Sequence, residues 1–126
     1  MLLDGVHVPL TTPFYPDGRV YLRKLEHNVR RYSLTPVSGL IALGSVSEAE
    51  FLSDEERLQV LRVVAAEAAP EKVLLAEVGR PGVAGSLELA KAAAELGFDA
   101  VLVGVPRAYA DSLWTCLLYT SPSPRD

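Results

Sequence analysis

The sequence has little of what several protein classes require. One cysteine in 126 residues excludes a scaffold held by internal disulfides. No apolar run reaches the roughly 18 residues of a membrane-spanning helix, and the amino terminus lacks the basic and apolar regions of a secretory signal. Lys and Arg total 12 against 16 Asp and Glu, so the net charge is −4, and no basic stripe is present. We therefore expect a cytoplasmic protein with neither a membrane nor a nucleic acid as its partner.

Four short apolar runs recur at nearly regular intervals along the chain. They occupy residues 6–10, 40–43, 73–78 and 100–105. Continuous apolar runs of this length are typical of strands covered on both faces in a parallel sheet. Intervals of about 30 residues are what repeated β-α-β units produce.

Helical patterns fill the intervals between these runs. The first helix is indicated by apolar residues that share one face: Leu22, Leu25, Val29 and Tyr32. Ser53 and Glu56 have the spacing of a capping box and predict the start of a second helix. A third helix is predicted to begin near Ser86 and to stop at Gly97. The order β-α-β-α-β-α-β predicts an α/β fold, which is either an open doubly wound sheet or half of a closed (β/α)8 barrel.

The segments around the strand ends carry a family resemblance. They read GVHVPLTTPF at 5–14, SGLIALGSVSE at 38–48 and LGFDAVLVGVP at 96–106. In this order they resemble the dihydrodipicolinate synthase/N-acetylneuraminate lyase family of class I aldolases. Thr35-Pro36 and Leu43-Gly44-Ser45 are most similar to its 4-hydroxy-2-oxoglutarate aldolase-like members.

This resemblance implies a fold and an activity. Residues 1–115 would be the N-terminal half of a (β/α)8 TIM barrel, with four parallel strands and three helices. Family members are lyases that act on pyruvate and other 2-oxo acids through a Schiff base on a lysine of the sixth strand, with a proton-shuttling tyrosine from the fifth. They need no metal or organic cofactor and are usually homotetramers. Because both strands lie beyond this chain, the chain itself is expected to be inactive.

The loop at 44–48 is the first candidate site. Gly44-Ser45-Val46-Ser47-Glu48 resembles the family's Gly-[Thr/Ser]-Thr-Gly-Glu loop, which binds the carboxylate of pyruvate. The resemblance makes Ser45 a catalytic hydroxyl of the proton relay, and makes Ser45, Val46 and Ser47 substrate-binding residues. Val46 lacks the family's second hydroxyl, and Ser47 replaces a glycine, which implies strain if its φ is positive. The alternative is that both serines only satisfy nearby backbone groups.

The segment PRAY at 106–109 is the second candidate site. It resembles the family's Thr-Pro-x-Tyr-Tyr segment, with Ala108 where the relay tyrosine is expected. Tyr109 is the candidate to replace that tyrosine in catalysis, or else it packs at a barrel rim or subunit interface. Arg107 either binds a second substrate carboxylate or is a solvated surface residue.

Two functions of other classes stay open. A barrel relative that keeps the fold but not the chemistry would serve as a binding or regulatory protein, and Val46 and Ala108 favour it. A flavodoxin-like phosphoacceptor domain would need an acidic cluster or a phosphate loop at the strand ends, and the sequence has neither. His7 and His27 do not share a metal-ligand spacing, and His7 is expected to be a hydrogen-bonded core residue.

Residues 116–126 continue none of the earlier patterns. The segment reads CLLYTSPSPRD and resembles the translation of a transposase-type sequencing adapter. We therefore expect a non-native tail, to be left out of the interpretation of the fold. The alternative is a natural Ser/Pro-rich tail.

Overall fold

The computed structural model describes residues 1–104. Four parallel strands lie in sequence order in one sheet: β1 (His7–Pro9), β2 (Gly39–Ala42), β3 (Val73–Glu77) and β4 (Ala100–Leu102). Three helices connect them: α1 (Leu22–Ser33), α2 (Asp54–Glu67) and α3 (Val83–Glu95). In the register of the sheet, Val8 pairs with Leu40 and Leu40 with Leu74. The predicted alternation of four parallel strands and three helices is confirmed.

The two faces of the sheet have different surroundings. Leu40, Ala42, Leu74 and Ala76 belong to the buried core that the sheet forms with the helices. Successive side chains of a strand point to opposite faces, so the intervening residues of β2 and β3 face away from the helices. Among them Leu75 is buried without joining that core. In a closed barrel, such a second face would form the interior.

The capping box predicted at Ser53 is present. The Ser53 hydroxyl accepts the N–H of Glu56 at 3.1 Å, and the Glu56 carboxylate accepts the N–H of Ser53 at 2.9 Å. These two bonds satisfy N–H groups that have no partner within the helix. They fix the start of α2, and therefore the end of the loop that precedes it.

Several predicted boundaries are wrong. The runs predicted as strands at 6–10, 73–78 and 100–105 are longer than β1, β3 and β4 as observed. α3 begins at Val83, three residues before Ser86, with Gly82 as its N-cap, so Ser86 lies inside the first turn and its hydroxyl donates to the Gly82 carbonyl at 3.3 Å. β2 ends at Ala42 because Leu43 has a φ of 61°, which is outside the β region. Gly97, with a φ of 95°, follows α3 as a C-terminal stop, as predicted.

His7 also differs from expectation. Its Nε2 atom is buried, and no residue of the described range 1–104 bonds to it. The ring lies over Gly39, its register partner on β2, where a Cβ atom would come within 2.6 Å of the His7 ring. A glycine offers this ring space but no side-chain hydrogen-bonding group.

Two other predictions concerned membrane-spanning helices and the C-terminal segment. No helix within residues 1–104 is both long and apolar enough to span a bilayer. The segment 116–126, predicted to be a non-native tail, lies outside the described residues.

Candidate functional site

The candidate site lies at the carboxyl edge of the sheet. A cleft of about 770 Å³ opens there, lined by residues that follow or end three neighbouring strands and by residues near α2. Six of these residues matter for the chemistry: Gly44, Ser45, Arg57, Glu77, Arg80 and Gly104. Because all four strands are parallel, their carboxyl ends meet at this edge, which is where barrel enzymes place their active sites.

A short 3-10 turn follows β2 and forms one wall of the cleft. It spans Ser45–Ser47 and is preceded by Gly44 in an extended conformation. The first N–H groups of any helical turn have no partner inside it. Ser45 and Val46 are both exposed residues of this turn. Within residues 1–104, neither of their backbone N–H groups donates a hydrogen bond to another backbone group. Two adjacent N–H donors at such a turn favour an anion.

Ser47 holds this turn together from within. It is 1% exposed, and its N–H donates to the Gly44 carbonyl at 2.9 Å. Its hydroxyl donates to the same carbonyl. Because both donors of Ser47 are already engaged, Ser47 shapes the turn, while the N–H groups of Ser45 and Val46 have no backbone partner within residues 1–104.

Positive φ angles occur in residues on either side of the turn and not at Ser47. Leu43 has a φ of 61° and Glu48 a φ of 58°. The left-handed region costs a residue with a Cβ atom roughly 1–2 kcal/mol. The Leu43 side chain is 3% exposed, so its burial in the core holds the strained backbone in place. The strain expected from replacing the family's glycine by Ser47 is therefore absent at that position.

Arg57, a residue that the sequence analysis missed, braces the segment after the turn. It lies in the first part of α2 and is 8% exposed. One guanidinium nitrogen donates to the Ala49 carbonyl at 2.6 Å, and another lies 3.4 Å from the Asp54 carboxylate. Burial lowers the pKa of Arg57, and the charge of Arg80 lowers it further. An arginine nevertheless stays protonated at neutral pH, so a buried cation holds the backbone beside Glu48.

Arg80 joins the loop after β3 to the start of α2. Its guanidinium bonds to the Asp54 carboxylate, and that bond holds the pKa of Asp54 below its usual value. Its backbone N–H donates to the Ser86 hydroxyl at 2.8 Å. The loops that follow β2 and β3 are thus tied to each other through one carboxylate.

Glu77 is the second residue that the sequence analysis missed. It is the last residue of β3, half-buried, and lies on the face away from the helices. A Cβ atom built on Gly44 would be 3.7 Å from its Oε2 atom, and one built on Gly104 would be 3.8 Å from its Oε1 atom. The carboxylate therefore occupies the space between the ends of β2 and β4. In the sequence, the only indication that Glu77 is a site residue was its charge within the otherwise apolar run 73–78.

The remaining predicted residues divide between described and undescribed parts of the chain. Tyr109, Arg107 and Ala108 lie outside the described residues. Ser45, Val46 and Ser47 lie together at the edge of the cleft or directly beneath it. Across residues 1–104, no group of three or more His, Cys, Asp or Glu side chains is arranged to hold a metal ion.

Comparison with known proteins adds an independent finding. The dihydrodipicolinate synthetase family matches residues 2–112. The chain is 37% identical over 106 residues to the 4-hydroxy-tetrahydrodipicolinate synthase of Xanthomonas axonopodis pv. citri, covering 84% of this chain and 35% of that protein. It is 39% identical over 107 residues to the N-acetylneuraminate lyase of Citrobacter koseri, covering 85% of this chain and 36% of that protein.

Solved structures show the same similarity in three dimensions. A dihydrodipicolinate synthase family protein from Coccidioides immitis superposes with a TM-score of 0.77 at 30% identity, over 84% of this chain and 35% of that one. The N-acetylneuraminate lyase of Mycoplasma synoviae gives a TM-score of 0.75 at 30% identity, over 81% and 35%. The chain thus spans about a third of the length of these relatives, and its fold is the N-terminal half of a (β/α)8 TIM barrel.

Proposed function

Since the chain belongs to the dihydrodipicolinate synthetase family, we propose that it supplies the pyruvate-binding side of a class I aldolase that acts on 2-oxo acids. The observation that carries this proposal is the turn at Ser45–Ser47, which lies at the carboxyl edge of the sheet and presents two adjacent N–H groups. The named relatives include both a synthase and a lyase. The specific similarity to 4-hydroxy-2-oxoglutarate aldolases remains a prediction.

The residues of the turn have different roles in this proposal. The N–H groups of Ser45 and Val46 bind the pyruvate carboxylate, and Ser47 fixes their direction through its two bonds to Gly44. The Ser45 hydroxyl is exposed at the cleft, and because it can both donate and accept a hydrogen bond it serves the proton relay. Tyr109 is the proposed partner of Ser45 in that relay. Neither role requires a metal or an organic cofactor.

In this proposal the reaction proceeds through a lysine amine of the sixth strand, as the family resemblance implies. The amine attacks the pyruvate carbonyl, water leaves, and the resulting Schiff base draws electrons from the neighbouring carbon atoms. The methyl carbon then loses a proton and forms a bond to an aldehyde carbon, whose oxygen takes up a proton. In cleavage the same bonds break in reverse order. The parent protein is proposed to be a homo-oligomer, as family members are.

A chimeric barrel tests this proposal. It consists of residues 1–112 of this chain followed by the part of the Citrobacter koseri lyase beyond its aligned segment. The chimera is incubated with pyruvate and reduced with borohydride, and its mass is measured by intact mass spectrometry. We expect one reduced pyruvyl group per chain, on a lysine of the lyase part. A folded chimera that gains no adduct would contradict the aldolase proposal and favour the non-catalytic relative.

Val46→Thr is expected to tighten pyruvate binding in the chimera. It restores the hydroxyl that the family's loop carries, at a position that is 49% exposed and where Thr has nearly the shape of Val. A hydrogen bond to a charged group contributes about 1.5–3 kcal/mol, which corresponds to a decrease of at least roughly tenfold in the half-saturating pyruvate concentration for adduct formation. Val46→Ala is the matched control and brings no such gain. Equal values for the two variants would show that a hydroxyl at residue 46 does not reach the bound carboxylate.

A further inference from the structure

We propose that Glu77 is a specificity-determining residue that favours acceptor aldehydes bearing hydroxyl groups and disfavours acceptors bearing a carboxylate. The inference rests on the proposed aldolase function and deepens it, because it concerns the second substrate. Its basis is the position of the Glu77 carboxylate between the carboxyl ends of β2 and β4.

The position follows from the strand. Glu77 ends β3 and has the same orientation as Leu75, on the face away from the helices. Its two oxygens lie close to Gly44 and Gly104, the residues beyond the ends of β2 and β4. Neither glycine has a side chain, so the carboxylate lies open to the cleft that both residues line.

The cations lining the cleft are engaged elsewhere. Arg57 and Arg80 both contact the Asp54 carboxylate, which is 78% exposed at its side chain and lies at the start of α2. Within residues 1–104, no ion pair or hydrogen bond involves the Glu77 side chain. Among the described residues, therefore, Glu77 brings a negative charge to the cleft that no neighbouring cation compensates.

The negative charge of Glu77 discriminates between two classes of acceptor aldehyde. Pyruvate has its own carboxylate on the N–H groups of Ser45 and Val46, whereas the Glu77 oxygens lie between Gly44 and Gly104. A carboxylate oxygen there accepts hydrogen bonds from hydroxyl groups of an acceptor. It repels an acceptor that carries a second negative charge, and like charges placed together in a partly buried site are strongly unfavourable.

Two aldehydes of equal carbon number test the inference in the chimera. Glycolaldehyde carries a hydroxymethyl group where glyoxylate carries a carboxylate, and each is condensed with pyruvate. The measured quantity is the ratio of kcat/KM for glyoxylate to kcat/KM for glycolaldehyde. Glu77→Gln removes the charge at nearly constant shape and is expected to raise this ratio about tenfold, which is 1.4 kcal/mol of lost discrimination.

Two further variants separate the local effect of Glu77 from a general effect of charge. Glu77→Asp keeps the charge and is expected to keep the ratio close to that of the unsubstituted chimera. Glu95→Gln makes the same chemical change at the exposed end of α3, at the opposite edge of the sheet, and is expected to leave the ratio unchanged.

The outcomes distinguish this inference from the proposed function. Adduct formation with pyruvate alone is measured on each variant by borohydride trapping. A chimera that forms the adduct but whose ratio is unmoved by Glu77→Gln, or moved equally by Glu95→Gln, overturns the role of Glu77 and leaves the aldolase proposal standing. A folded chimera that forms no adduct overturns both.

Discussion

Treated with pyruvate and borohydride, the 126-residue chain is expected to gain no stoichiometric adduct, while the chimeric barrel gains one. The chain contains Lys24, Lys72 and Lys91. Lys24 and Lys91 are exposed on α1 and α3, in the outer layer. The ammonium of Lys72 donates to the carbonyls of Thr35 and Val37 at 2.7 and 2.8 Å, at the edge opposite the cleft. None is placed to attack a pyruvate held at the turn, and a Schiff-base lysine needs a site that keeps its amine neutral.

Peptide mapping after reduction locates any adduct that does form. Trace modification spread over the three lysines and the terminal amine is the background that exposed amines give. A stoichiometric pyruvyl group on one of these lysines would contradict the proposal that the attacking amine comes from another strand. A reduced but pyruvate-free sample is the control for unrelated mass changes.

Ser45→Ala in the chimera is expected to slow proton transfer by about 100-fold or more, since a positioned acid–base group contributes typically 10²–10⁴-fold. The readout is exchange of the pyruvate methyl protons with deuterium, followed by NMR in the absence of any aldehyde. The half-saturating pyruvate concentration changes little, because the backbone N–H groups that bind the carboxylate remain.

Ser45→Thr is the matched control for this loss. It keeps the hydroxyl and corresponds to the other residue of the family's Gly-[Thr/Ser] pattern, so exchange is expected to remain within a few-fold of the unsubstituted rate. If Ser45→Ala exchanges protons as fast as Ser45→Thr, the hydroxyl has no part in the relay. If both variants lose pyruvate binding, the turn itself has been disturbed.

Local signals predicted much of the fold. Ser53 and Glu56 formed the capping box that their spacing indicated, and Gly97 took a positive φ at the end of α3. Ser86 misled the prediction of the start of α3, because a serine hydroxyl inside a first turn bonds nearby backbone as readily as one at a cap. The Ser86 hydroxyl donates to the Gly82 carbonyl and accepts the N–H of Arg80, and the second contact depends on how the preceding loop folds back.

The candidate site was only partly predictable, because the contacts that hold its residues in place form only when the chain has folded. Arg57 lies in the charged sequence DEER at 54–57, which predicts a solvated helix start, yet the chain buries it against the Ala49 carbonyl. Glu77 was visible as a lone charge in an apolar run, but its place between Gly44 and Gly104 depends on strand register. The role of Tyr109 stays a prediction.

Amide NMR of the chimera shows whether the turn after β2 binds the carboxylate of pyruvate. Pyruvate is titrated into 15N-labelled protein at a concentration range that spans adduct formation. The amide resonances of Ser45 and Val46 are expected to shift in parallel with the adduct, and that of Ser47 to shift less, because its N–H already bonds to Gly44 at 2.9 Å. Formation of the adduct without any shift at Ser45 and Val46 would show that the pyruvate carboxylate does not bind at this turn.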